Sequence, residues 1–340
     1  MEFIHKSVLF DEAIAALELS ENKIVADGTA GGGGHSREIA KKAKRLIAID
    51  RDPDAVKVLG ERLAEFDNVT IVHDNFANIK SILNDLNIGG IDGFLLDLGV
   101  SSFQLDNGER GFSFHQDAPL DMRMSKEGLS ARDVVNNYSQ QELADIIYRY
   151  GEEKFSRSIA ANIVAEREKA PIETTFQLVD IIKESMPAKE LRKGHPARKT
   201  FQAIRIEVNG ELDKLKTALD DAFDCLNPGG IIAVITFHSL EDRIVKEKFA
   251  EWTKGCTCPK EFPVCICGNK PKGELPFKSK APTQAELEEN PRARSSRLRA
   301  FKKEKNIYIH QGKTMKHGTY TQGKNIPNTL LIFRKHKRNK

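Results

Sequence analysis

No stretch of this sequence approaches the roughly 20 consecutive apolar residues that a membrane-spanning helix requires. The first residues also lack the basic segment and the apolar run of a secretory signal peptide. Cysteine is scarce, and four of the five cysteines lie in one short segment. That distribution differs from the disulfide framework of a small secreted protein. These absences predict a cytoplasmic protein with no membrane partner.

The charge of the chain is unevenly distributed. The 340 residues carry a net charge of +4, but residues 301–340 contain nine Lys, two Arg and one Glu, a local charge of +10. The remainder of the chain is therefore mildly acidic. A basic tail on an acidic body favours contact with a polyanion. The alternative is a solvated end with no structure of its own.

Short apolar runs alternate with helical patterns in the first third of the chain. This alternation predicts a parallel sheet with crossover helices, in which the carboxyl ends of the strands meet at one ligand-binding edge. The predicted strands are Lys23–Asp27, Leu46–Asp50, Val69–His73 and Ile91–Leu98.

The alternation stops near residue 105 and resumes near residue 200. The segment between them has helical periodicity and predicts a helical insertion. One long helix over 201–223 then leads to a buried strand at Ile231–Phe237, and Ser296–Lys302 predicts a closing strand. We therefore predict a sheet domain formed by residues 1–104 and 201–305, a helical insertion at 105–200 and a basic tail at 306–340.

A glycine-rich turn, Asp27-Gly-Thr-Ala-Gly-Gly-Gly-Gly34, follows the first predicted strand. Glycines at such a turn let backbone amides approach a ligand without obstruction from Cβ atoms. Nicotinamide dinucleotides place a pyrophosphate here, whereas S-adenosylmethionine carries cationic groups that favour nearby acids. Asp27 therefore favours S-adenosylmethionine, and a purely structural turn is the alternative.

Asp50 ends the second predicted strand, about 20 residues after the glycine turn. An acid at this position can accept hydrogen bonds from both hydroxyls of a ribose. Both candidate cofactors carry this ribose, so Asp50 does not distinguish them. The alternative is a capping acid for the next helix, since Asp52-Pro53 follows.

Asp97 follows the fourth strand, in Asp97-Leu-Gly-Val-Ser-Ser102. Methylation of an exocyclic base amine needs an acceptor for its N–H groups, because the nitrogen lone pair is delocalised into the ring. A carboxylate that holds this amine in line with the methyl donor would supply much of the acceleration, and no metal is required. Many base-amine methyltransferases have Asp/Asn-Pro-Pro-aromatic at this strand end. The departure from that motif leaves two hypotheses for Asp97, a catalytic role or a cofactor contact.

Three further features each allow a functional and a structural interpretation. His238 follows the late strand and could bind substrate or simply stabilise the fold. The cysteines Cys256, Cys258, Cys265 and Cys267 could bind zinc, remain reduced or form a redox pair, and their tight spacing leads us to assign no metal. If Asn290–Arg299 is extended, Arg292 and Arg294 share one face, suited either to phosphate contacts or to a solvated edge strand.

The chain closely resembles the bacterial 16S ribosomal RNA cytidine-N4 methyltransferases, from about His5 to Lys303. The similarity is carried by many separate blocks in one order. These blocks are His5–Glu12, Asp27–Ser36, Ala48–Pro53, Asp97–Ser102, Gln104–Asp106, Glu109–Phe114, Pro119–Met124, His195–Pro196, Thr200–Arg205, Phe237–Val245 and Asn290–Ser296.

The resemblance implies a doubly wound, Rossmann-like class I methyltransferase sheet (an α/β fold) with a helical substrate-recognition insertion. It implies S-adenosylmethionine as donor and, as acceptor, the N4 amine of a cytidine in 16S rRNA of the small ribosomal subunit. Phe76 and Gln104 enter only through the resemblance, with Phe76 beside the adenine ring. The implied cofactor contacts are Gly33, Gly34, His35, Asp50, Phe76, Asp97 and Gln104.

Two other classes of function remain open from the residues alone. The glycine turn and Asp50 permit a nicotinamide-dependent oxidoreductase, which would need a substrate-reducing set of residues that the chain does not show. A non-catalytic RNA-binding assembly factor would keep the basic tail and need no cofactor. We also allow for a homodimer.

Overall fold

A computed structural model describes residues 7–101, 104, 108–259, 261–264 and 266–305. The basic tail at 306–340, Cys265 and most of the segment 102–107 lie outside the described residues. Within the described part of the chain, every helix is too short or too polar to cross a membrane.

The centre of the fold is a seven-stranded sheet in the order β3-β2-β1-β4-β5-β7-β6. The first five strands of this order are parallel, and β7 pairs antiparallel with both β5 and β6. The strands are β1 Ile24–Asp27, β2 Arg45–Asp50, β3 Val69–His73, β4 Ile91–Asp97, β5 Leu226–Thr236, β6 Gly273–Glu274 and β7 Arg297–Lys303. This order confirms the predicted doubly wound fold.

Helices cover both faces of the sheet, which explains the continuous apolar runs of its strands. Along β4, Phe94 and Leu96 pack into one core whereas Leu95, between them, packs into the other. The helices around the sheet are α1 Phe10–Ala16, α2 Gly34–Lys42, α3 Pro53–Arg62 and α4 Ile79–Asp85.

A third hydrophobic core lies in the helical part of the chain and extends from Phe112 to Ile204. Three of its helices begin at capping boxes formed by Ser130, Ser139 and Thr174, whose hydroxyls accept the N–H of the third helical residue. The predicted domain boundaries remain a prediction. The helices here are α5 Ala131–Asn137, α6 Gln140–Gly151, α7 Ser156–Arg167, α8 Thr175–Glu184 and α9 Ala188–Leu191.

The single long helix predicted over 201–223 is wrong. The structure has two helices, α10 Arg198–Asn209 and α11 Glu211–Cys225, separated by Gly210. Gly210 has φ +59°, a left-handed conformation that ends the first helix. Two more helices of the described chain are α12 Ser239–Thr253 and α13 Gln284–Glu289.

The arginine segment before β7 is not extended. Arg292 and Arg294 lie in a short 3₁₀ helix, Pro291–Ser295, and therefore do not share a strand face. The closing strand itself is confirmed as β7. Its Arg299 donates two hydrogen bonds to Asp242, at 2.7 and 2.9 Å, and therefore forms an ion pair within the protein.

Candidate active site

Three acids gather at the carboxyl edge of the sheet, because β1, β2 and β4 are parallel neighbours and each ends in an aspartate. Asp27 is buried, accepting from the Ser36 hydroxyl at 2.6 Å and from the Thr29 N–H at 3.2 Å. Burial raises the pKa of Asp27 to about 6, against the opposing effect of these two hydrogen bonds. The edge therefore holds acidic groups in need of a positive partner.

Asp97 is the least satisfied of the three acids. Its Oδ1 is buried and has no hydrogen-bond partner among the described residues, although 23% of the side chain is exposed. Burial, followed by the charges of Asp27 and Glu241, raises the pKa of Asp97 well above its ordinary value. Nδ1 of His35 lies 3.8 Å from Oδ2. Burial lowers the pKa of His35 to about 4, so this imidazole is neutral at pH 7 and does not compensate the carboxylate.

Asp50 holds the glycine turn in place. Its Oδ2 accepts the Gly31 N–H at 2.7 Å, and its Oδ1 accepts the Asp52 N–H at 2.8 Å. Asp52, and not Asp50, caps α3 by accepting the Asp54 N–H at 3.0 Å. The capping alternative for Asp50 is therefore wrong, and its carboxylate lies where the turn and the sheet edge meet.

The remaining predicted residues of the turn lie at the start of α2. Gly33 precedes that helix with φ +82°, a conformation that disfavours any side chain. Gly34 begins the helix, and a Cβ there would lie 2.1 Å from Oγ of Ser7. Backbone conformation at Gly33 and packing at Gly34 therefore favour glycine, and contact of this turn with a cofactor stays a prediction.

Phe76 packs against Gly28, at the start of the glycine turn. It begins a 3₁₀ helix after β3, and its Cβ would be 2.9 Å from a Cβ added at Gly28. The ring packs partly into the core on that side of the sheet. Phe76 is thus brought to the same edge as the three acids.

Gln104 contacts the edge through another acid. Its Nε2 donates to Oδ2 of Asp52 at 2.7 Å, and its Oε1 accepts the Ser101 N–H at 3.1 Å. Nη1 of Arg110 donates to the same Oδ2 at 2.8 Å, and Nη2 donates to the carbonyl of Arg123 at 2.7 Å. These side chains are buried, and they attach the segment around Arg110 to the sheet edge. A direct contact of Gln104 with the cofactor stays a prediction.

A second buried polar group lies at the end of β5. Nε2 of His238 is 3.2 Å from Oε1 of Glu241, whose other oxygen accepts the Phe237 N–H at 2.8 Å. Burial alone would raise the pKa of Glu241, but it is lowered by His238 and by the guanidinium of Arg205. Arg205 makes two 2.9 Å hydrogen bonds to Glu211, so the positive charge that this cluster needs is already present.

Sequence reasoning missed the Asp52–Arg110 contact and the Arg205–Glu211–Glu241 group. The similarity blocks included most of these residues, but no local spacing pairs Asp52 with Arg110, which are 58 residues apart in the chain. The one signal in the sequence would have been a charged residue at a position that the surrounding apolar pattern predicts to be buried.

The chain matches the MraW methylase family over residues 2–304. The protein belongs to this family. Two relatives are the "Ribosomal RNA small subunit methyltransferase H" of Clostridium botulinum (strain 657 / Type Ba4), 54% identical over 308 residues, and the "Ribosomal RNA small subunit methyltransferase H 2" of Agathobacter rectalis, 55% identical over 311 residues. Each match covers 89% of this chain, and respectively 100% and 99% of the relative.

A putative rRNA-methylase from Clostridium thermocellum is a more distant match among solved structures. It is 12% identical, with a TM-score of 0.41 over 88% of this chain and 100% of the other. At this level the comparison adds nothing to the family assignment.

This MraW-family protein is a methyltransferase, and S-adenosylmethionine is its methyl donor. The observed edge fits that cofactor. The uncompensated Oδ1 of Asp97 and the raised pKa of Asp27 suit the ammonium and sulfonium charges, and Asp50 suits a ribose. The family assignment does not favour the nicotinamide-dependent oxidoreductase or the non-catalytic assembly factor.

The close packing beneath the turn gives a stability prediction for Gly28. A Cβ at this position would lie 2.7 Å from Cδ2 of Leu96 and 2.9 Å from Cβ of Phe76. Gly28→Ala is therefore expected to lower the free energy of unfolding by about 1–3 kcal/mol. Gly60→Ala is the matched control, because nothing lies within 4 Å of its added Cβ and it sits inside α3. That variant should gain about 0.5–1 kcal/mol. Urea unfolding measures both changes, and equal changes in the free energy of unfolding for the two variants would contradict the close packing at Gly28.

Asp27 gives a pH-dependent prediction. Because its folded pKa of about 6 exceeds its unfolded value, the folded state binds this proton more tightly. The resulting stability is full at low pH and is lost as pH rises through about 6. Between about pH 5 and pH 7.5, wild type should lose about 1 kcal/mol relative to Asp27→Asn. Parallel urea titrations measure this difference. The control is Asp213→Asn, at a side chain that is 84% exposed, and its stability should vary with pH as that of wild type does. If the stability of Asp27→Asn varied with pH in the same way as wild type, the prediction would be contradicted.

Proposed function

We propose that this methyltransferase transfers a methyl group from S-adenosylmethionine to the N4 amine of a cytidine in the RNA of the small ribosomal subunit. The names of the two relatives, at 54% and 55% identity over nearly their whole lengths, support an rRNA substrate. This substrate would place the reaction in the cytoplasm. The homodimer stays a prediction, which analytical ultracentrifugation tests.

The unpaired Oδ1 of Asp97 is the observation that carries the chemistry. S-adenosylmethionine supplies a methyl group on a positively charged sulfur, so its electrophile needs no further activation. Asp97 supplies a buried acceptor that can hold an N–H group of the amine, next to the neutral His35. A fixed acceptor directs the nitrogen and stabilises the positive charge that develops on it during transfer.

A cluster of aromatic rings in the helical part supports recognition of a base. The ring of Phe114 stacks on His195, with centroids 4.3 Å apart at 23°, and His115 lies 5.2 Å from His195. Burial, and then the charges of His115 and Lys183, lower the pKa of His195 and favour its neutral form. Proteins commonly bind unpaired RNA bases by stacking them on such rings. We assign this surface to the target nucleotide or its neighbour.

The test uses labelled S-adenosylmethionine and small subunits from cells that lack this enzyme. After incubation, the RNA is digested to nucleosides and separated. Label in N4-methylcytidine supports the proposal. Label in another nucleoside overturns the proposed acceptor, and label that enters only large subunits overturns the proposed substrate. Naked 16S rRNA, assayed in parallel, shows whether the assembled subunit is required.

The basic tail at 306–340 provides a separate prediction, which rests on its sequence. Lysines that contact phosphates release counterions, so affinity falls as salt rises. Deleting residues 306–340 should weaken binding to 16S rRNA and flatten the salt dependence of that binding. Filter binding over a salt series measures both quantities. Unchanged affinity and slope would remove the tail from the RNA interface.

A further inference from the structure

None of the described residues of the loop between α12 and β6 is buried. Phe262, Val264 and Ile266 are exposed, with Ile266 at 75%. The ends of the loop are nevertheless close together, because the Lys272 N–H donates to the Trp252 carbonyl at 2.7 Å. Nδ2 of Asn269 closes the neck with hydrogen bonds to the carbonyls of Lys254 and Gly255, at 3.1 and 2.7 Å. A loop of this length with exposed apolar residues needs another source of stability.

Three cysteine sulfurs lie together inside this loop. The Sγ atoms of Cys256, Cys258 and Cys267 are all within 4.8 Å of one another, and those of Cys256 and Cys267 are 3.7 Å apart. Four sulfurs bound tetrahedrally to zinc at about 2.3 Å are separated from each other by about 3.8 Å. The observed separation therefore matches an edge of a zinc–thiolate tetrahedron.

Backbone amides surround the same sulfurs. Five N–H groups donate to the three Sγ atoms at 3.3–3.4 Å, from Thr257, Cys258, Ile266, Cys267 and Asn269. N–H···S hydrogen bonds of this kind orient the sulfurs of metal-bound cysteines, so the backbone of this loop is folded as a metal site requires. Three thiolates this close would repel one another strongly unless a cation lay between them.

We propose that Cys256, Cys258 and Cys267 bind a structural zinc ion that holds this loop. Soft thiolate ligands in a tetrahedral arrangement select zinc over hard cations. Cys265, the fourth cysteine of the motif, lies outside the described residues, and the proposed site does not depend on it. Spacing alone predicts no metal here, because Cys-x-Cys is tighter than the usual zinc knuckle.

The site is structural because it lies far from the transfer chemistry. Helix α12 begins next to His238 and contains 15 residues before the loop starts. At 1.5 Å per residue, the loop lies about 22 Å along that helix from the sheet edge. The zinc should therefore affect the order of the loop and leave the affinity for S-adenosylmethionine unchanged.

The experiment measures metal in the full-length protein, purified in reducing buffer without chelator. Inductively coupled plasma mass spectrometry should find about one zinc per chain. Cys258→Ala and the double variant Cys256→Ser/Cys267→Ser should lose it. Cys225→Ala is the matched control, since Cys225 lies at the end of α11, outside the cluster, and should retain the metal. Titration with S-adenosylmethionine establishes that each variant is folded.

Two further measurements separate zinc from the other states of these cysteines. Cobalt added to protein stripped of zinc should give thiolate-to-cobalt charge-transfer bands in wild type and in Cys225→Ala, but not in the cluster variants. Counting thiols after denaturation with chelator should give all five. Fewer than five thiols would show a disulfide and overturn the proposal. Protein without stoichiometric metal that also fails to bind cobalt would overturn it, and stoichiometric iron would overturn the choice of zinc.

Discussion

Replacing Asp97 by alanine is expected to lower the rate of methyl transfer by about 10²- to 10³-fold, the usual cost of removing a preorganised electrostatic group. The variant should not be less stable than wild type. Burial and the charges of Asp27 and Glu241 raise the pKa of this carboxyl, so in the free enzyme its ionised form is destabilised. We therefore expect Asp97→Ala to increase the melting temperature at neutral pH while activity falls.

Asp97→Asn separates the two hypotheses for this residue, because asparagine keeps an acceptor oxygen and loses the charge. If Asp97 contacts the cofactor ammonium, loss of one charge-assisted hydrogen bond should raise the Kd for S-adenosylmethionine about 10- to 100-fold. If it instead holds the acceptor amine, that Kd should be unchanged and kcat should fall. Calorimetry and single-turnover assays measure the two quantities.

The control for both substitutions is Asp213→Asn, which removes a carboxylate from an exposed position on α11. It should leave Kd, kcat and melting temperature at their wild-type values. An Asp97→Ala enzyme with full activity on small subunits would remove Asp97 from the active site, whatever its effect on stability.

The sequence correctly predicted that Asp27, Asp50 and Asp97 end neighbouring parallel strands, because strand ends are set by local patterns. A strand that ends in an acid and then a glycine turn can be read within ten residues, as at Asp27 and Gly33. Parallel pairing then brings such strand ends together without further information. The positions of Asp50 and Asp97 follow from the same rule.

The errors and omissions have a different physical origin. The break at Gly210 depends on a single left-handed residue within a continuous helical pattern, which periodicity does not register. The contact of Asp52 with Arg110 joins residues far apart in the chain, and their charges would ordinarily predict exposed positions. The proposed zinc site departs from the no-metal prediction, which rests on spacing alone, because spacing carries no information on how close the folded loop brings the three sulfurs.

Arg110→Met is expected to lower the free energy of unfolding by about 3–5 kcal/mol, because it leaves the buried carboxylate of Asp52 without its positive partner. The side chains of this pair are only 8% and 1% exposed, and Arg110 also donates to the carbonyls of Arg123 and Met124 at 2.7 and 3.0 Å. Gln104, a predicted cofactor contact, donates to the same Oδ2 of Asp52 at 2.7 Å. The loss of stability should be accompanied by weaker binding of S-adenosylmethionine.

The chain contains a matched control for this substitution. Arg132 also makes two hydrogen bonds to one carboxylate, that of Glu173, at 2.6 and 2.8 Å, but both side chains are 49% exposed. Solvent screens such a pair, so Arg132→Met should cost less than about 1 kcal/mol. Urea unfolding of the two variants compares the same chemical change at a buried and at an exposed site.

A double variant distinguishes loss of the ion pair from loss of packing. Asp52→Asn removes the charge that Arg110→Met leaves unpaired and keeps an oxygen able to cap α3. If the unpaired charge dominates, the double variant should be more stable than Arg110→Met alone, with a coupling energy of about 1–3 kcal/mol. If the effects of the two substitutions on the free energy of unfolding are strictly additive, the cost of Arg110→Met comes from the aliphatic part of Arg110 and its bonds to the two backbone carbonyls. The Asp52–Arg110 ion pair would then contribute nothing specific to the structure of this edge of the sheet.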